Sequence, residues 1–190
     1  NIAIEAATAL KTFSQSAPVY FICGNRDFLL GKRYAEQAGI TLLPEQQMVQ
    51  LYGQNYLISH GDEMCTADVS YQRFRRIIRC PLVQKLLLAL PQSRRQKVAA
   101  KLRTASKQKK QTMGHTPVSD VTEQGVQAAL TQYPQTAAMI HGHTHRPAVH
   151  EHLFNGRSVP RYVLPDWYGN SGGYLQVSPD EVVLLPLGID

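Results

Sequence analysis

The spacing of apolar and polar residues along the chain predicts an alternation of helices and strands. Residues 1–13 carry apolar side chains at helical spacing, which predicts an amphipathic helix. Residues 17–23 (APVYFIC) are apolar without alternation, which is typical of a buried strand in an α/β layer. A short helix that ends at Gly39 follows, and residues 48–62 predict a hairpin with Gly53 in its turn. This order of elements indicates an α/β fold.

The middle of the chain changes character, because residues 65–110 show helical periodicity almost throughout. Pro81 and Pro91 break this stretch into three segments, since proline does not continue a helix interior. We therefore expect an inserted helical subdomain, which we call the lid, and an α/β core on either side of it. The lid comprises residues 65–118, and the core comprises residues 1–64 and 119–190.

The last part of the core predicts one more helix and several strands. Residues 118–134 read as a helix for which Ser119 or Asp120 offers the N-cap. Residues 136–140 (TAAMI) predict a strand that leads into a group of histidines. Three further strand candidates, joined by turn residues, indicate an antiparallel meander. They are residues 147–154, 160–164 and 174–187.

Positive charge is concentrated in the lid. The chain carries 20 Lys and Arg against 14 Asp and Glu, a formal net charge of +6. Thirteen of the basic residues lie between Arg73 and Lys110, and no Asp or Glu occurs from Val69 to Ser119. Seven basic residues then remain against all 14 acidic ones, so the rest of the chain is net negative. A patch of this kind indicates an anionic partner.

Cysteine usage and hydropathy argue against two classes of protein. Cys23, Cys65 and Cys80 are odd in number and far apart, without a C-x-x-C pair, so neither a disulfide framework nor a cysteine zinc site is predicted. We expect a reducing, cytoplasmic setting. No run of about eighteen apolar residues occurs, so the sequence predicts no membrane-spanning segment.

Three of the apolar strands end in clusters of potential metal ligands. These clusters are GNRD at 24–27, SHGD at 59–62 and HGHTH at 141–145. Because ligands of layered α/β folds bind at the carboxyl ends of strands, groups far apart in the sequence can converge there. His143 and His145 are spaced so that both rings can reach the same place. Histidine nitrogen, asparagine oxygen and carboxylate together suit Mn, Fe or Zn better than Ca.

The other histidines have simpler explanations. We expect His141 to pack or to form hydrogen bonds beneath the ligands rather than to bind metal. His150 and His152 alternate along one strand, which predicts a solvated face. His115 lies in a loop without neighbouring ligands.

The motifs GNRD, HGD and GHTH, in this order, resemble the later motifs of the calcineurin-like metallophosphoesterases. Most members have His and Glu at the positions where Arg26 and Asp27 follow Asn25 here. Longer stretches are similar to one family within that group, the UDP-2,3-diacylglucosamine diphosphatases of lipid A synthesis. These stretches are GNRDFLLGKRYAEQAGITLLPE, HGDEMCTADVSYQRFR and IHGHTHRPAVHE, and the similarity extends over essentially the whole chain.

This resemblance implies a layered α/β sandwich with an inserted helical lid and a catalytic centre that holds two Mn²⁺ ions. It assigns one ion to Asn25, His60 and His143, and the other to His145. It makes His143 and Arg26 catalytic, with the guanidinium stabilising charge that develops on phosphate oxygens. The family's first two motifs, an Asp-x-His and a Gly-Asp that both precede the GNRD motif in the family, have no counterpart before Gly24 in this sequence. We therefore expect the first strands of the sandwich, which carry those motifs, to precede it.

The resemblance also implies a substrate. In this family the diphosphate of UDP-2,3-diacylglucosamine is hydrolysed by attack on the α-phosphorus, which releases UMP and 2,3-diacylglucosamine 1-phosphate, also called lipid X. Eight residues are expected to contact the substrate. They are Asn25, Arg26, Asp68, Tyr71, Arg103, Ser106, Lys110 and His143.

One apolar face of the lid fits this substrate. It is formed by Leu82, Val83, Leu86, Leu87 and Leu90, at helical spacing within the basic stretch. An apolar face beside cationic groups matches an acylated diphosphate and an anionic membrane surface, where each Lys or Arg contributes about 1 kcal/mol. We expect peripheral attachment to the cytoplasmic face of the inner membrane.

Two alternatives stay open at this point. The enzyme could hydrolyse another phosphodiester, such as a nucleotide, for which the apolar face would be unnecessary. The basic stretch could instead bind nucleic acid, which would favour aromatic residues interleaved with Lys and Arg. Only Tyr71 and Phe74 lie near it, so we expect no nucleic-acid partner.

Overall fold

The computed structural model describes residues 2–113 and 119–188, without the side chains of residues 105–113. Within these residues the protein is a mixed α/β structure with six α-helices. The helices are α1 (Ile2–Phe13), α2 (Lys32–Ala38), α3 (Val69–Ile78), α4 (Pro81–Ala89), α5 (Gln92–Met113) and α6 (Glu123–Gln132). The strands are β1 (Tyr20–Ile22), β2 (Thr41–Leu43), β3 (Gln46–Leu51), β4 (Gln54–Ser59), β5 (Ala138–His141), β6 (Ala148–Phe154), β7 (Arg157–Val163), β8 (Ser171–Val177) and β9 (Val182–Gly188).

The chain divides into two compact units. The first is formed by Asn1–Met64 and Val121–Asp190, and the second by Cys65–Asp120.

The first unit begins with two helices packed on a two-stranded parallel sheet. The predicted helices are confirmed, and α2 ends at Gly39, whose left-handed backbone (φ 66°) terminates it. β1 pairs in parallel with β2. The prediction of a buried strand is wrong for one side of β1, because Tyr20 is 58% exposed. The small sheet buries only the side that meets the helices, in a cluster that contains Ala7, Ala35, Ala38 and Ile40.

The central sheet has the strand order β3-β4-β5-β7-β6. β3 and β4 form the predicted hairpin, with Tyr52 (φ 49°) and Gly53 (φ 79°) both left-handed in its turn. β5 lies in parallel between β4 and β7. β6 and β7 form a second hairpin, which turns at Asn155 and Gly156.

The tail is antiparallel within its hairpins but is not one meander. β8 and β9 pair antiparallel in a sheet of their own. β7 pairs with β6 in antiparallel fashion and with β5 in parallel, so the central sheet is mixed. The prediction of an antiparallel meander is therefore correct for the β6–β7 hairpin and wrong for the rest, because residues 174–187, predicted as one strand candidate, contribute to two strands that pair only with each other.

Helix α6 covers the central sheet and forms the main core. Apolar side chains of β4, β5, β6, β7 and α6 meet in one cluster with Met64, which follows β4. The cluster contains Leu57, Met64, Val126, Ala129, Leu130, Met139, Phe154 and Val159. The predicted caps Ser119 and Asp120 are wrong, because the helix begins later and Thr122 caps it. The hydroxyl of Thr122 accepts a hydrogen bond from the Gly125 N–H (3.0 Å) and donates one to the Met64 carbonyl (3.2 Å).

The second unit contains the three predicted helical segments α3, α4 and α5. Asp68 caps α3 by accepting a hydrogen bond from the Tyr71 N–H at 2.9 Å. The breaks at the two prolines are confirmed, since Pro81 is the first residue of α4 and Pro91 directly precedes α5. None of the described helices is both long and apolar enough to cross a bilayer.

Candidate functional site

Two predicted metal ligands, His60 and His143, lie side by side. β4 and β5 are parallel neighbours with Ser59 opposite His141, so their carboxyl ends meet at one edge of the sheet. His60 directly follows β4, and His143 follows β5 by two residues. The Nδ1 atom of His143 is 3.2 Å from the Nε2 atom of His60, and the rings meet edge to face at 68° with centroids 5.0 Å apart.

The GHTH turn that carries His143 has an uncommon backbone. His143 (φ 66°) and His145 (φ 57°) are both left-handed, a conformation that costs a non-glycine residue about 1 kcal/mol or more. Hydrogen bonds hold the turn in this form. The Gly142 N–H donates to the His60 carbonyl at 3.1 Å, and the Thr144 N–H donates to the Gly142 carbonyl at 2.8 Å.

The GNRD loop packs onto the same ring. A Cβ atom on Gly24 would be 2.8 Å from Cε1 of His60. Only glycine at this position therefore avoids a clash with the ring. The Gly24 N–H donates to the Asp27 carboxylate at 2.5 Å, which closes the loop. Asn25 is half-buried in this loop and the Arg26 side chain is exposed. All three ligand-bearing strand ends therefore contribute to the surroundings of His60.

His145 pairs with a residue that the sequence did not indicate. Its Nδ1 atom lies 3.0 Å from a carboxylate oxygen of Asp166, and both side chains are about half exposed. A histidine whose Nδ1 donates to a carboxylate presents Nε2 in a fixed direction. The pair thus leaves one nitrogen of His145 for a ligand.

His141 lies beneath the turn, as expected, and it belongs to a buried hydrogen-bonded series. Its Nδ1 is 2.9 Å from the Gly142 carbonyl, and its Nε2 is 2.7 Å from a guanidinium nitrogen of Arg161. Arg161 also donates from Nε to Nε2 of His152 (2.9 Å), whose Nδ1 lies 2.7 Å from the Glu123 carboxylate. The prediction of a solvated His152 is wrong, because the residue is 8% exposed and faces this series.

The charge at the far end of this series is stabilised. A hydrogen bond from Gln127 lowers the pKa of Glu123, and the hydrogen bond from His152 and the positive charge of Arg161 act in the same direction. Partial burial of Glu123 opposes them. The carboxylate is therefore ionised at neutral pH and partners the buried arginine through His152.

Comparison with known proteins identifies the family. A UDP-2,3-diacylglucosamine hydrolase of Serratia proteamaculans is 48% identical over 182 residues, which is 95% of this chain and 75% of the relative. Proteins of the same name from Salmonella arizonae and Escherichia fergusonii are 45% and 44% identical over the same shares. The chain belongs to the UDP-2,3-diacylglucosamine hydrolase family. No protein-family model matches it.

The donor set of this hydrolase fits a metal ion in part. Two imidazole nitrogens 3.2 Å apart suit one ion, because two ligands that each bind at about 2.1 Å and at right angles are separated by about 3 Å. Asn25 adds an amide oxygen in the adjoining loop. In residues 2–113 and 119–188, no three His, Cys, Asp or Glu side chains are grouped as a metal site. Metal binding by Asn25, His60, His143 and His145 stays a prediction.

The remaining predicted substrate contacts of this family member lie in the second unit. Asp68 is the N-cap of α3, and Tyr71 packs its ring against Phe74 with centroids 6.4 Å apart. Arg103 is exposed on α5. The side chains of Ser106 and Lys110 lie outside the described residues. Their contacts with substrate stay predictions.

Three residues around the site were not predicted from the sequence: Asp166, Arg161 and His152. A signal for Arg161 was present. It lies two residues from both Val159 and Val163 on β7, and residues two apart on a strand share one face, so Arg161 faces the core with these valines. His152 stands in the same relation to Phe154 on β6. No pattern marks Asp166, which meets His145 only through the fold.

Proposed function

We propose that this protein hydrolyses the diphosphate of UDP-2,3-diacylglucosamine, releasing UMP and 2,3-diacylglucosamine 1-phosphate, in the synthesis of lipid A. Membership of the hydrolase family supports the substrate and the reaction class. The observation in the structure that supports it most is the approach of His60 and His143, which come from different strands, to 3.2 Å. A pair of imidazoles at the carboxyl edge of a sheet is a place where a phosphate ester and its metal can bind.

The metal in this proposal is Mn²⁺, in two sites. Asn25, His60 and His143 would hold one ion, and His145, oriented by Asp166, would contribute to the other. Such ions lower the pKa of a water molecule and neutralise charge on the diphosphate. Nitrogen and oxygen donors of this kind suit Mn²⁺.

The chain's own residues then act on the diphosphate. Water adds its oxygen to the α-phosphorus, the bond to the bridging oxygen breaks, and that oxygen leaves with lipid X. Arg26 is exposed beside Asn25 and offers fixed donors and charge to the phosphate oxygens without a proton transfer. His143 is the second catalytic residue of this proposal. It acts on the same bond cleavage from the GHTH turn, whose left-handed backbone holds it in place.

The proposal also includes a specific fold, the calcineurin-like metallophosphoesterase sandwich. In it, the second unit acts as a lid for an acylated substrate. The apolar side chains of α4 support this role, since Leu82 and Leu86 are 65% and 62% exposed and Lys85 is exposed between them. Solvent-exposed leucines favour contact with acyl chains. The basic residues around them favour an anionic membrane surface. Peripheral binding at the inner membrane is part of the proposal.

The test is UMP release by the complete gene product. UDP-2,3-diacylglucosamine in detergent is incubated with MnCl₂, with EDTA and with UDP-glucose as a substrate that lacks acyl chains. We expect UMP only from the acylated substrate and only with Mn²⁺. Equal hydrolysis of UDP-glucose would instead favour a general nucleotide phosphodiesterase. Release of UMP in the presence of EDTA would contradict the proposed dependence on Mn²⁺.

Membrane attachment has its own test. Pelleting with vesicles that contain phosphatidylglycerol is compared between the wild type and Leu82→Ser/Leu86→Ser. We expect the double variant to bind less while its UMP release from detergent-dispersed substrate falls less than its pelleting. Binding to duplex DNA that exceeds vesicle binding would support the nucleic-acid alternative.

A further inference from the structure

Arg161 is a buried cation whose described hydrogen bonds go to two histidine rings. It is 5% exposed, and its guanidinium donates to Nε2 of His141 at 2.7 Å and to Nε2 of His152 at 2.9 Å. A buried charge is costly unless it is well bonded, so the arrangement has a structural or functional reason. Glu123 provides a negative charge through His152.

These contacts determine the proton positions on His141. A guanidinium only donates, so Nε2 of His141 must accept and its proton must be on Nδ1. The Nδ1–H then donates to the Gly142 carbonyl at 2.9 Å. The direction of this hydrogen bond follows from Arg161 and not from His141 alone.

The ring of His141 touches both loops that carry the paired histidines. The Gly142 carbonyl that it binds also accepts from the Thr144 N–H, and this fixes the peptide just before left-handed His143. On the other loop, Gly61 (φ 103°) follows His60, and a Cβ atom there would be 2.5 Å from Nδ1 of His141. One buried ring, 1% exposed, therefore supports both loops.

We propose that Arg161 is a positioning residue for the active site, which acts through His141 to hold the GHTH turn and the HGD loop in register, so that His60 and His143 face each other. His152 and Glu123 hold Arg161 in place. This inference rests on the proposed function for its kinetic consequences, but its geometric part concerns the protein alone. It adds Arg161, His152 and Glu123 to His141 as residues that support the site from beneath.

The kinetic experiment compares Arg161→Met and Arg161→Lys with the control Arg157→Met. Arg157 lies on the same strand and donates to the Pro134 carbonyl at 2.6 Å, so its loss removes an arginine hydrogen bond at a different place. We expect Arg161→Met to lower kcat for UMP release about 10- to 100-fold, as loss of residues that orient metal ligands does. Arg161→Lys, which keeps a donor and the charge, should recover part of the rate. Arg157→Met should keep the wild-type rate at temperatures where all variants are folded.

A second measurement is made on metal-free protein and does not depend on activity. Long-range ¹H–¹⁵N spectra of the histidine rings report which nitrogen carries the proton. We expect His141 to be protonated on Nδ1 in the wild type and in Arg157→Met, and to become a mixture of the two forms in Arg161→Met, with shifted signals from His60 and His143.

The outcomes separate this inference from the proposed function. If the wild type releases no UMP, the proposed function is wrong, and the ring spectra still decide whether Arg161 sets the state of His141. If the wild type is active but Arg161→Met matches Arg157→Met in rate and in spectra, the inference is overturned. Should Arg161→Met fail to fold, Arg161→Lys decides, because one ammonium cannot replace both donors of the guanidinium. A kcat below that of Arg157→Met, with shifted ring signals from His60 and His143, would support the inference, and a rate and spectra equal to those of Arg157→Met would overturn it.

Discussion

Gly24 lies so close to the imidazole of His60 that a Cβ atom on it would be 2.8 Å from Cε1 and 3.0 Å from Nδ1 of the ring. The Gly24→Ala variant must therefore turn the ring or move the loop, and we expect UMP release to fall about 10-fold or more, since small displacements of reacting groups are costly. The matched control is Gly31→Ala, where the nearest atom is 3.9 Å away. Equal rates for the two variants would show that His60 does not depend on this contact.

Replacement of His143 tests the centre of the site. We expect His143→Ala to lower UMP release by more than about 100-fold, beyond the loss typical of residues that only support metal ligands. Stability should be retained, because the side chain is only partly buried and its left-handed backbone (φ 66°) is strained in any case. His150→Ala, at an exposed residue of β6, is the control for both activity and thermal unfolding. Normal turnover by His143→Ala would exclude this site.

The pair between His145 and Asp166 makes a separate prediction. Asp166→Ala removes the acceptor 3.0 Å from Nδ1 of His145, so the ring loses its orientation and the enzyme should need a higher Mn²⁺ concentration for half-maximal activity, about 10-fold. Asp166→Asn keeps an oxygen acceptor and should lie between this variant and the wild type. Asp180→Asn, in an exposed turn, serves as the control. A Mn²⁺ dependence shared by all four proteins would contradict the role of Asp166.

Glu123 predicts a pH dependence of stability. Its pKa is lowered from the ordinary value of 4.5 in the folded state, chiefly by the hydrogen bond from Gln127, so the unfolded chain takes up the proton at higher pH. The stabilisation is therefore complete above that value and is lost as the pH falls through the folded pKa. Because Glu123 is 61% exposed, we expect Glu123→Gln to cost below about 1 kcal/mol at neutral pH.

Urea unfolding of the wild type and of Glu123→Gln, at neutral pH and at pH values below 4.5, measures this effect. The difference between the two proteins should shrink in acid. Glu36→Gln, an exposed residue of α2, should show a smaller change at neutral pH. A difference that stays constant with pH would mean that the stabilisation is not due to the charge of Glu123.

Gly125 predicts a cost of close packing. A Cβ atom there would be 2.8 Å from the Cα atom of Met64, where α6 approaches the backbone before the second unit. In a free helix, alanine would gain about 1 kcal/mol over glycine, but such overpacking costs about 1–3 kcal/mol. We expect Gly125→Ala to lower the free energy of unfolding, whereas Gln124→Ala on the exposed side of α6 should not. A more stable Gly125→Ala would show that the backbone of Met64 can move away.

Much of the local structure followed from the sequence. Helical spacing located α1 and α2, the glycine at 53 marked the β3–β4 turn, and two prolines divided the second unit into its helices. These features depend on neighbours within a few residues, so local patterns are sufficient to predict them. The cap of α6 was misplaced because Ser119, Asp120 and Thr122 are all good caps, and only the contact of Thr122 with Met64 selects among them.

For the site, the sequence by itself determined which strand ends carry ligand-type residues, and the order of those motifs determined the family. It could not determine what meets them. Alternation along a strand predicts which residues share a face with His152 and with Arg161. The strand order and the packing of the sheet decide which face is buried and which residues of neighbouring elements lie against it. The distances between His60 and His143, between His145 and Asp166, and along the series through Arg161 join residues far apart in the chain. Only the tertiary structure decided these, because packing and register, rather than local propensity, bring such groups together.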